Sequence, residues 1–125
     1  MYTPAKFSDL VGKVIVQVDG LVEQSEKVTF TCDDGKKYTM FHEQECCEEV
    51  DLMDISGDIA WILNEKIVLA EERRLESRRC ESMTWTFYEL VTLKGSITLR
   101  WFGTSNGYYS EEVSFMLEQE TPSGN

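Results

Sequence analysis

The sequence is poor in basic side chains and has a single histidine, His42. Lys and Arg number 12 against 23 Asp and Glu, which gives a formal charge of −11 over 125 residues. Proteins that bind nucleic acid without sequence preference neutralise its phosphates with Lys and Arg, so we expect no direct nucleic-acid binding. The simplest interpretation of the charge is a solvated acidic surface that keeps a small protein soluble.

Signatures of catalysis are also missing. There is no Walker, Rossmann, serine-hydrolase or kinase motif, and the single histidine has no evident acid–base constellation around it in the sequence. We therefore expect no enzymatic activity, no catalytic residue and no cofactor.

Long apolar runs are absent. No stretch approaches the roughly 18 apolar residues that a membrane-spanning helix needs. The N-terminus, residues 1–6, lacks the apolar segment of a secretory signal. We expect a cytoplasmic protein that does not bind membranes.

The four cysteines, Cys32, Cys46, Cys47 and Cys80, form no C-x-x-C pair. This spacing argues against a structural zinc site. We expect the thiols to be reduced, and the adjacent Cys46 and Cys47 are poor candidates for bonding each other.

Residues 42–48 read H-E-Q-E-C-C-E and bring together the histidine, two thiols and three carboxylates. Transition-metal sites use these ligand types, but the spacing matches no known site. We assign no metal site here and favour a structural corner that buries Cys46 or Cys47.

The clearest positive signal is a strand pattern over residues 83–117. Apolar and polar residues alternate with period two, and glycine-containing turns at 94–95 and 103–107 interrupt the alternation. Such a pattern predicts an antiparallel meander of three strands, the last over residues 113–117. In the first strand we expect one set of side chains on the core: Met83, Trp85, Phe87, Val91 and Leu93. The opposite face should carry Thr84, Thr86 and Tyr88 together with Thr98, Arg100 and Phe102.

Earlier segments predict further strands. Residues 13–18 alternate as a strand, and residues 28–32 and 38–42 flank an Asp-Asp-Gly-Lys turn as a hairpin. Residues 7–12 resemble a single helical turn, capped by Ser8. The chain predicts one domain over residues 1–118, and residues 119–125 a frayed tail.

The middle of the chain leaves two alternatives open. One is a short helix from Asp58 to Leu63 followed by a strand over residues 66–70, which we favour because β-branched residues cluster there. The other is one helix from Asp58 to Cys80. In the first case the charged residues 71–81 should be solvated. The predicted fold is mainly β, an antiparallel meander sheet or partly open barrel of about 7–8 strands with one or two short helices.

Two clusters are candidates for ligand binding. Four arginines lie within residues 73–79, where they either bind an anion or balance the neighbouring glutamates. The outward face of the meander and the turn after it combine aromatic rings, hydroxyls and an arginine, which can stack a base and hold phosphate or sugar, although the same turn can be purely structural. The candidate ligand-binding residues are Arg100, Phe102, Ser105, Asn106, Tyr108, Tyr109, Tyr88, Arg73, Arg74, Arg78 and Arg79.

Several motifs stand together in one order: H-x-Q-x-C-C-E at residues 42–48, G-D at 57–58, A-E-E at 70–72, T-W-T-F-Y at 84–88, K-G at 94–95 and R-W-x-G-x-S-N-G-Y-Y-S at 100–110. Over residues 28–115 the chain resembles a family of small phage and prophage proteins known as a domain of unknown function. The resemblance implies a phage or prophage origin. The arginines of residues 73–79 lie outside the shared pattern. In size and aromatic–arginine composition the chain also resembles phage proteins of the Thoeris anti-defence kind, which sequester nucleotide signals.

These observations support two functional hypotheses for a non-enzymatic, homo-oligomeric counter-defence protein. The first is a binding protein that sequesters a nucleotide-derived immune signal such as a cyclic ADP-ribose isomer. The second is an inhibitor of a nuclease or another defence protein, whose carboxylates, including Glu43, Glu45, Glu48 and Glu49, mimic nucleic-acid phosphates. A structural or regulatory phage protein with neither activity is a third interpretation.

Overall fold

The computed structural model describes residues 2–77 and 82–118, which form two antiparallel sheets. The five-stranded sheet contains, in spatial order, β1 (Tyr2–Pro4), β9 (Ser114–Glu118), β4 (Lys37–Phe41), β3 (Lys27–Cys32) and β2 (Ile15–Asp19). The four-stranded sheet contains β5 (Glu49–Gly57), β8 (Gly95–Ser105), β7 (Ser82–Thr92) and β6 (Leu69–Ser77). The predicted mainly β, antiparallel class is confirmed, and the described residues do not close into a barrel.

The core lies between the two sheets. Trp101 of β8 is fully buried, and its indole N–H points at the sulfur of Met40 in β4, 3.2 Å away. At one end, Phe7 packs its ring 4.8 Å from the ring of Tyr88 and 5.5 Å from that of Phe115. Buried aromatic side chains of this size dominate the free energy of folding of small domains.

The predicted helices are single 3₁₀ turns. Phe7–Leu10 forms the first turn, with Lys6 rather than Ser8 at the N-cap and its N–H bonded to Asp9. Ile59–Trp61 forms the second, and the side chain of Asp58 caps it by accepting the N–H of Ala60. The described part of the chain contains no helix longer than these two turns.

The alternative of one helix from Asp58 to Cys80 is therefore wrong. Asn64 adopts a left-handed φ of 64°, which ends the helical path. The favoured strand over residues 66–70 is displaced: Lys66 forms only an isolated bridge with Val14, and β6 begins at Leu69. Of the charged residues 71–81, residues 71–76 are exposed as expected, and they lie in β6 and pair with β7. Residues 78–81 lie outside the described residues.

The two predicted hairpins are confirmed. β3 pairs with β4, with Phe30 opposite Tyr38, and β7 pairs with β8, with Thr92 opposite Gly95. The prediction that the third strand of the meander pairs within the same sheet is wrong. β9 does not continue from β8 but crosses to the five-stranded sheet, where it pairs with β4 and β1.

The predicted orientation of β7 is inverted. Thr86 lies opposite Trp101 and Tyr88 opposite Leu99, and all four side chains are buried. Directly opposite residues in an antiparallel pair share a face, so the inward-facing Trp101 and Leu99 place the threonines and Tyr88 inside. The side chains expected on the core, Met83, Trp85, Phe87 and Val91, lie half-buried on the outer face, and Leu93 is in the turn and 91% exposed.

No helix among the described residues is long and apolar enough to cross a membrane. The predicted tail, residues 119–125, lies outside the described residues.

Candidate functional site

The candidate ligand-binding residues do not form one site. Arg73, Arg100 and Phe102 lie on the outer face of the four-stranded sheet, whereas Arg74, Tyr108 and Tyr109 line a cleft on its inner side. Tyr88 is fully buried in the core, because its strand faces the other way from the prediction. Arg78 and Arg79 lie outside the described residues.

The outer face carries a cluster of rings, here called the aromatic face: Trp85, Phe87 and Phe102. The ring centroids of Trp85 and Phe102 are 4.5 Å apart, and those of Trp85 and Phe87 are 6.3 Å apart. The guanidinium of Arg100 lies 6.0 Å from the Trp85 ring and donates a hydrogen bond to Asp54. Sequence analysis missed Trp85 and Phe87 as surface residues, because their strand was assigned the opposite orientation.

Each arginine that the structure describes is paired with a carboxylate. Arg73 lies 3.9 Å from Glu89, and Arg100 pairs with Asp54. Arg74 approaches three carboxylates: Glu112 at 3.3 Å, Glu76 at 3.8 Å and Glu72 at 4.0 Å. This pairing supports charge balance as the role of Arg73 and Arg74, and a phosphate would have to displace these carboxylates.

The tyrosine cleft, a space of about 310 Å³, lies between the end of β6 and the segment from Gly107 to Glu112. Its walls include Arg74, Glu76 and the rings of Tyr108 and Tyr109, which meet edge to face with centroids 5.1 Å apart. The Tyr108 side chain is 83% exposed. The cleft can therefore offer an aromatic surface, one guanidinium and several carboxylates to a ligand.

The segment that forms this cleft is fixed by a buried carboxylate, Glu111. It accepts hydrogen bonds from the hydroxyl of Thr84 at 2.7 Å and from the hydroxyl of Ser105. Ser105 also accepts the N–H of Gly107 at 3.0 Å, and Asn106 accepts the N–H of Tyr108 at 2.9 Å. Ser105 and Asn106, predicted to bind ligand, thus shape the turn, and Glu111 is a residue that sequence analysis did not single out.

A second buried carboxylate, Glu48, organises residues 42–48. Its oxygens accept the Nε2 of His42 at 2.7 Å and the backbone N–H groups of Glu45 and Cys46, each at 2.9 Å. The Nδ1 of His42 lies 2.7 Å from the carbonyl oxygen of Glu112. Both ring nitrogens of His42 therefore lie within hydrogen-bond distance of an oxygen atom, which fixes the ring between Glu48 and Glu112.

Burial by itself raises the pKa of Glu48, but the hydrogen bonds from His42, Cys46 and Glu45 outweigh it and lower the pKa to about 2. Glu48 is thus ionised and paired with His42 inside the protein, where the two side chains are 0% and 4% exposed. His42 is a structural partner of Glu48.

Residues 42–48 form a structural corner, but the expectation that it buries Cys46 or Cys47 is wrong, because its buried member is Glu48. Cys46 and Cys47 are exposed, and they form a disulfide with each other, contrary to our expectation. The chain bends at these two residues, and Glu48 accepts the backbone N–H of Cys46. Cys32 is a free, buried thiol, and burial raises its pKa to about 11.

A second space, of about 470 Å³, lies next to this corner and is here called the disulfide cleft. Cys47, Glu48 and Glu49 line one side, and Ser105, Asn106 and Tyr109 belong to the other. Tyr109 contributes to both clefts.

The same end of the molecule carries a group of carboxylates, here called the acidic rim: Glu26, Glu43, Glu45, Glu49 and Asp51. The four glutamates are exposed. Burial raises the pKa of Asp51, and the negative charges of Glu49 and Glu26 raise it further. Within residues 2–77 and 82–118, no three His, Cys, Asp or Glu side chains are arranged to hold a metal ion.

A search of the curated proteins and a search of the solved structures both give no match to this chain. A family model, described as a domain of unknown function (DUF7448), matches residues 8–115. This match confirms the resemblance to a family of unknown function, while the phage origin stays a prediction. The matched range includes the Glu48 corner, both clefts and the aromatic face, and the chain therefore belongs to the DUF7448 family.

Proposed function

We propose that the protein is a non-enzymatic inhibitor that blocks a basic protein surface, such as the nucleic-acid groove of a nuclease, by presenting carboxylates in place of phosphates. The phage or prophage origin implied by the family resemblance makes a defence protein of the host bacterium the expected target. The observation that carries the proposal is the acidic rim on a corner fixed by the Glu48–His42 ion pair.

The corner fixes where the carboxylates lie. Glu43 and Glu45 flank Gln44, whose amide donates to the carbonyl of Glu48 at 2.5 Å and to that of Cys46 at 3.3 Å. Because these bonds hold the backbone, the carboxylates are presented on a fixed scaffold, and less conformational entropy is lost on binding. Glu48 itself, expected among the exposed carboxylates, is buried and supports the others instead.

The overall field favours a cationic partner. The formal charge is −11, and the described arginines are already paired with carboxylates. Charge complementarity of this kind speeds association and gives specificity. A basic groove therefore fits the rim better than a free polyanion does.

The test is inhibition of DNA cleavage by a panel of purified bacterial nucleases. The variant E43K/E45K reverses two charges of the rim, and D33K/E65K makes the same change in net charge at two positions outside the rim. We expect inhibition of at least one nuclease by the wild type and by D33K/E65K, and its loss in E43K/E45K. Equal inhibition by both variants, or none by the wild type, would contradict the proposal.

The tyrosine cleft supports a second candidate, sequestration of a nucleotide-derived signal such as a cyclic ADP-ribose isomer. Tyr108 or Tyr109 would stack the base, and Arg74 would release Glu112 to bind a phosphate. Arg100 and Phe102 lie on the outer face and would take no part. This candidate requires the ligand to enter a space that also contains Glu76 and Glu112.

Calorimetry against cyclic ADP-ribose isomers and cyclic oligonucleotides tests this candidate. We expect R74A and Y109A to abolish any heat of binding that the wild type shows, and R100A to retain it. Binding would also raise the melting temperature by an amount set by the ratio of ligand concentration to Kd. Flat titrations across the panel would contradict it.

A further inference from the structure

β6 is an exposed edge strand. It pairs with β7 on one side, and among residues 2–77 and 82–118 no strand pairs with it on the other side. Residues 71–76 are exposed on both faces, and Leu75, opposite Trp85, is 62% exposed. A long edge strand with free backbone N–H and C=O groups is a template for pairing with another chain.

We propose that two copies of the chain pair through β6, antiparallel, about a twofold axis that passes beside Glu72. Such an axis is perpendicular to the sheet, so the outer faces of the two copies lie on the same side. Residues at equal distances on either side of Glu72 then face each other. The occupant of the edge is thus a second copy of this chain.

The sequence of β6 is self-complementary in this register. On the outer face, Glu71 meets Arg73 of the second copy, and Leu69 meets Leu75 of the second copy, each pair occurring twice. Opposite charges and apolar side chains that face each other across strands stabilise a sheet. Leu75, which is exposed in the single chain, thereby gains an apolar partner.

The inner face of the pair carries Glu72, Arg74 and Glu76 from each copy. Glu72 faces its counterpart on the axis, and Arg74 of each copy lies two residues away along the strand. The two guanidiniums lie nearer the axis than the two Glu76 carboxylates do, and they offset the repulsion between the two Glu72 side chains.

Neighbouring registers fit less well. An axis beside Arg73 would set Glu72 against Arg74, but it would also set Glu71 against Leu75. An axis beside Arg74 would set Glu72 against Glu76. Each of the three axes places one pair of identical charges on the axis, and only the axis beside Glu72 also sets Leu69 against Leu75, which selects this register.

The paired molecule would have one continuous sheet of eight strands. The aromatic face of each copy would then lie on the same side of this sheet, joined across the axis by the four leucines. The clefts and the acidic rim are not needed for this contact, so the inference is independent of the proposed function.

Sedimentation equilibrium on the full chain tests the register by charge reversal. We expect the wild type to dimerise, and E71R and R73E each to weaken the dimer about tenfold, because two attractive pairs become repulsive in each homodimer. A mixture of E71R with R73E should recover the wild-type affinity, because every Arg again faces a Glu. The control E23K, at an exposed position outside β6, should dimerise like the wild type.

Each contrary result overturns the proposal. A wild type that remains monomeric would contradict the pairing through β6. An E71R homodimer as tight as the wild-type dimer would contradict the register centred on Glu72. Failure of the mixture to recover affinity also contradicts it. Melting curves of both single variants show whether they are folded, and recovery in the mixture cannot arise from a misfolded chain.

Discussion

At the scale of single residues, the buried carboxylate of Glu48 explains the H-x-Q-x-C-C-E motif. His42 pairs with its carboxylate, Gln44 bonds its carbonyl, and Cys46 donates its backbone N–H. The motif thus describes one hydrogen-bonded corner. The sequence showed that these residue types belong together, but it could not show which carboxylate is buried, because three glutamates stand within seven residues.

Substitution of Glu48 by Gln should lower the melting temperature. The Glu48 carboxylate faces the Nε2 of His42 and accepts the backbone N–H groups of Glu45 and Cys46. The amide NH2 of Gln would replace one of its oxygens, and a buried donor left without an acceptor is costly. The exposed neighbour Glu49, changed to Gln, serves as a matched control and should melt close to the wild type. Equal melting temperatures for the two variants would contradict the role of Glu48.

The pH dependence of the free energy of unfolding should reveal the contribution of Glu48. The pKa of Glu48 is about 2 in the folded protein against an ordinary value of 4.5, so the unfolded chain binds its proton first as the pH falls. Its contribution to the free energy of unfolding is complete above pH 4.5 and is lost as the pH falls towards 2. Urea unfolding of the wild type and E48Q should converge over this range. A constant difference between them would contradict the assignment.

At the scale of elements, the strands and the two hairpins were predictable, whereas the inward face of β7 and the partner of β9 were not. The alternation in β7 and β8 predicts both strands and their hairpin. Which face of β7 points inward is not evident from β7 alone, because Trp85 and Phe87 alternate with Thr86 and Tyr88, and both faces contain rings. The register with β8 decides it, since Trp101 and Leu99 are buried.

The partner strands of β9 could not be predicted from a local sequence pattern either. Its alternation predicts a strand, but its place beside β4 depends on the preceding segment. There Glu111 accepts bonds from Thr84 and Ser105, and the carbonyl of Glu112 meets His42. These contacts join positions far apart in the sequence, so no window around β9 contains them.

Substitution of Gly103 by Ala should destabilise the protein by about 1–3 kcal/mol, the usual cost of inserting atoms into a packed region. A Cβ atom there would lie 2.9 Å from Cγ2 of Val50 and 3.0 Å from Cβ of Glu111. The neighbouring Thr104 is half-buried on the outer face, and T104A should cost less. Urea unfolding measures both, and a G103A variant as stable as T104A would contradict the close packing of β8 against Glu111.

At the scale of the whole molecule, the candidate site is divided by the fold. The predicted set mixed residues from the outer face, the tyrosine cleft and the core, because the orientation of β7 and the path after β8 were not known. The acidic character was evident from composition. The placement of Glu26 and Glu49 close enough to Asp51 to raise its pKa required the structure, since β3, β5 and the segments before them are distant in the sequence.

The most direct test of the account is the salt dependence of binding between the protein and a nuclease that it inhibits. The dissociation constant should rise steeply as NaCl increases from about 50 to about 300 mM, since screening at these concentrations weakens contacts between charged surfaces. D33K/E65K should follow the wild type, and E43K/E45K should bind more weakly with a shallower dependence. The same slope for all three proteins would contradict the central role of the acidic rim.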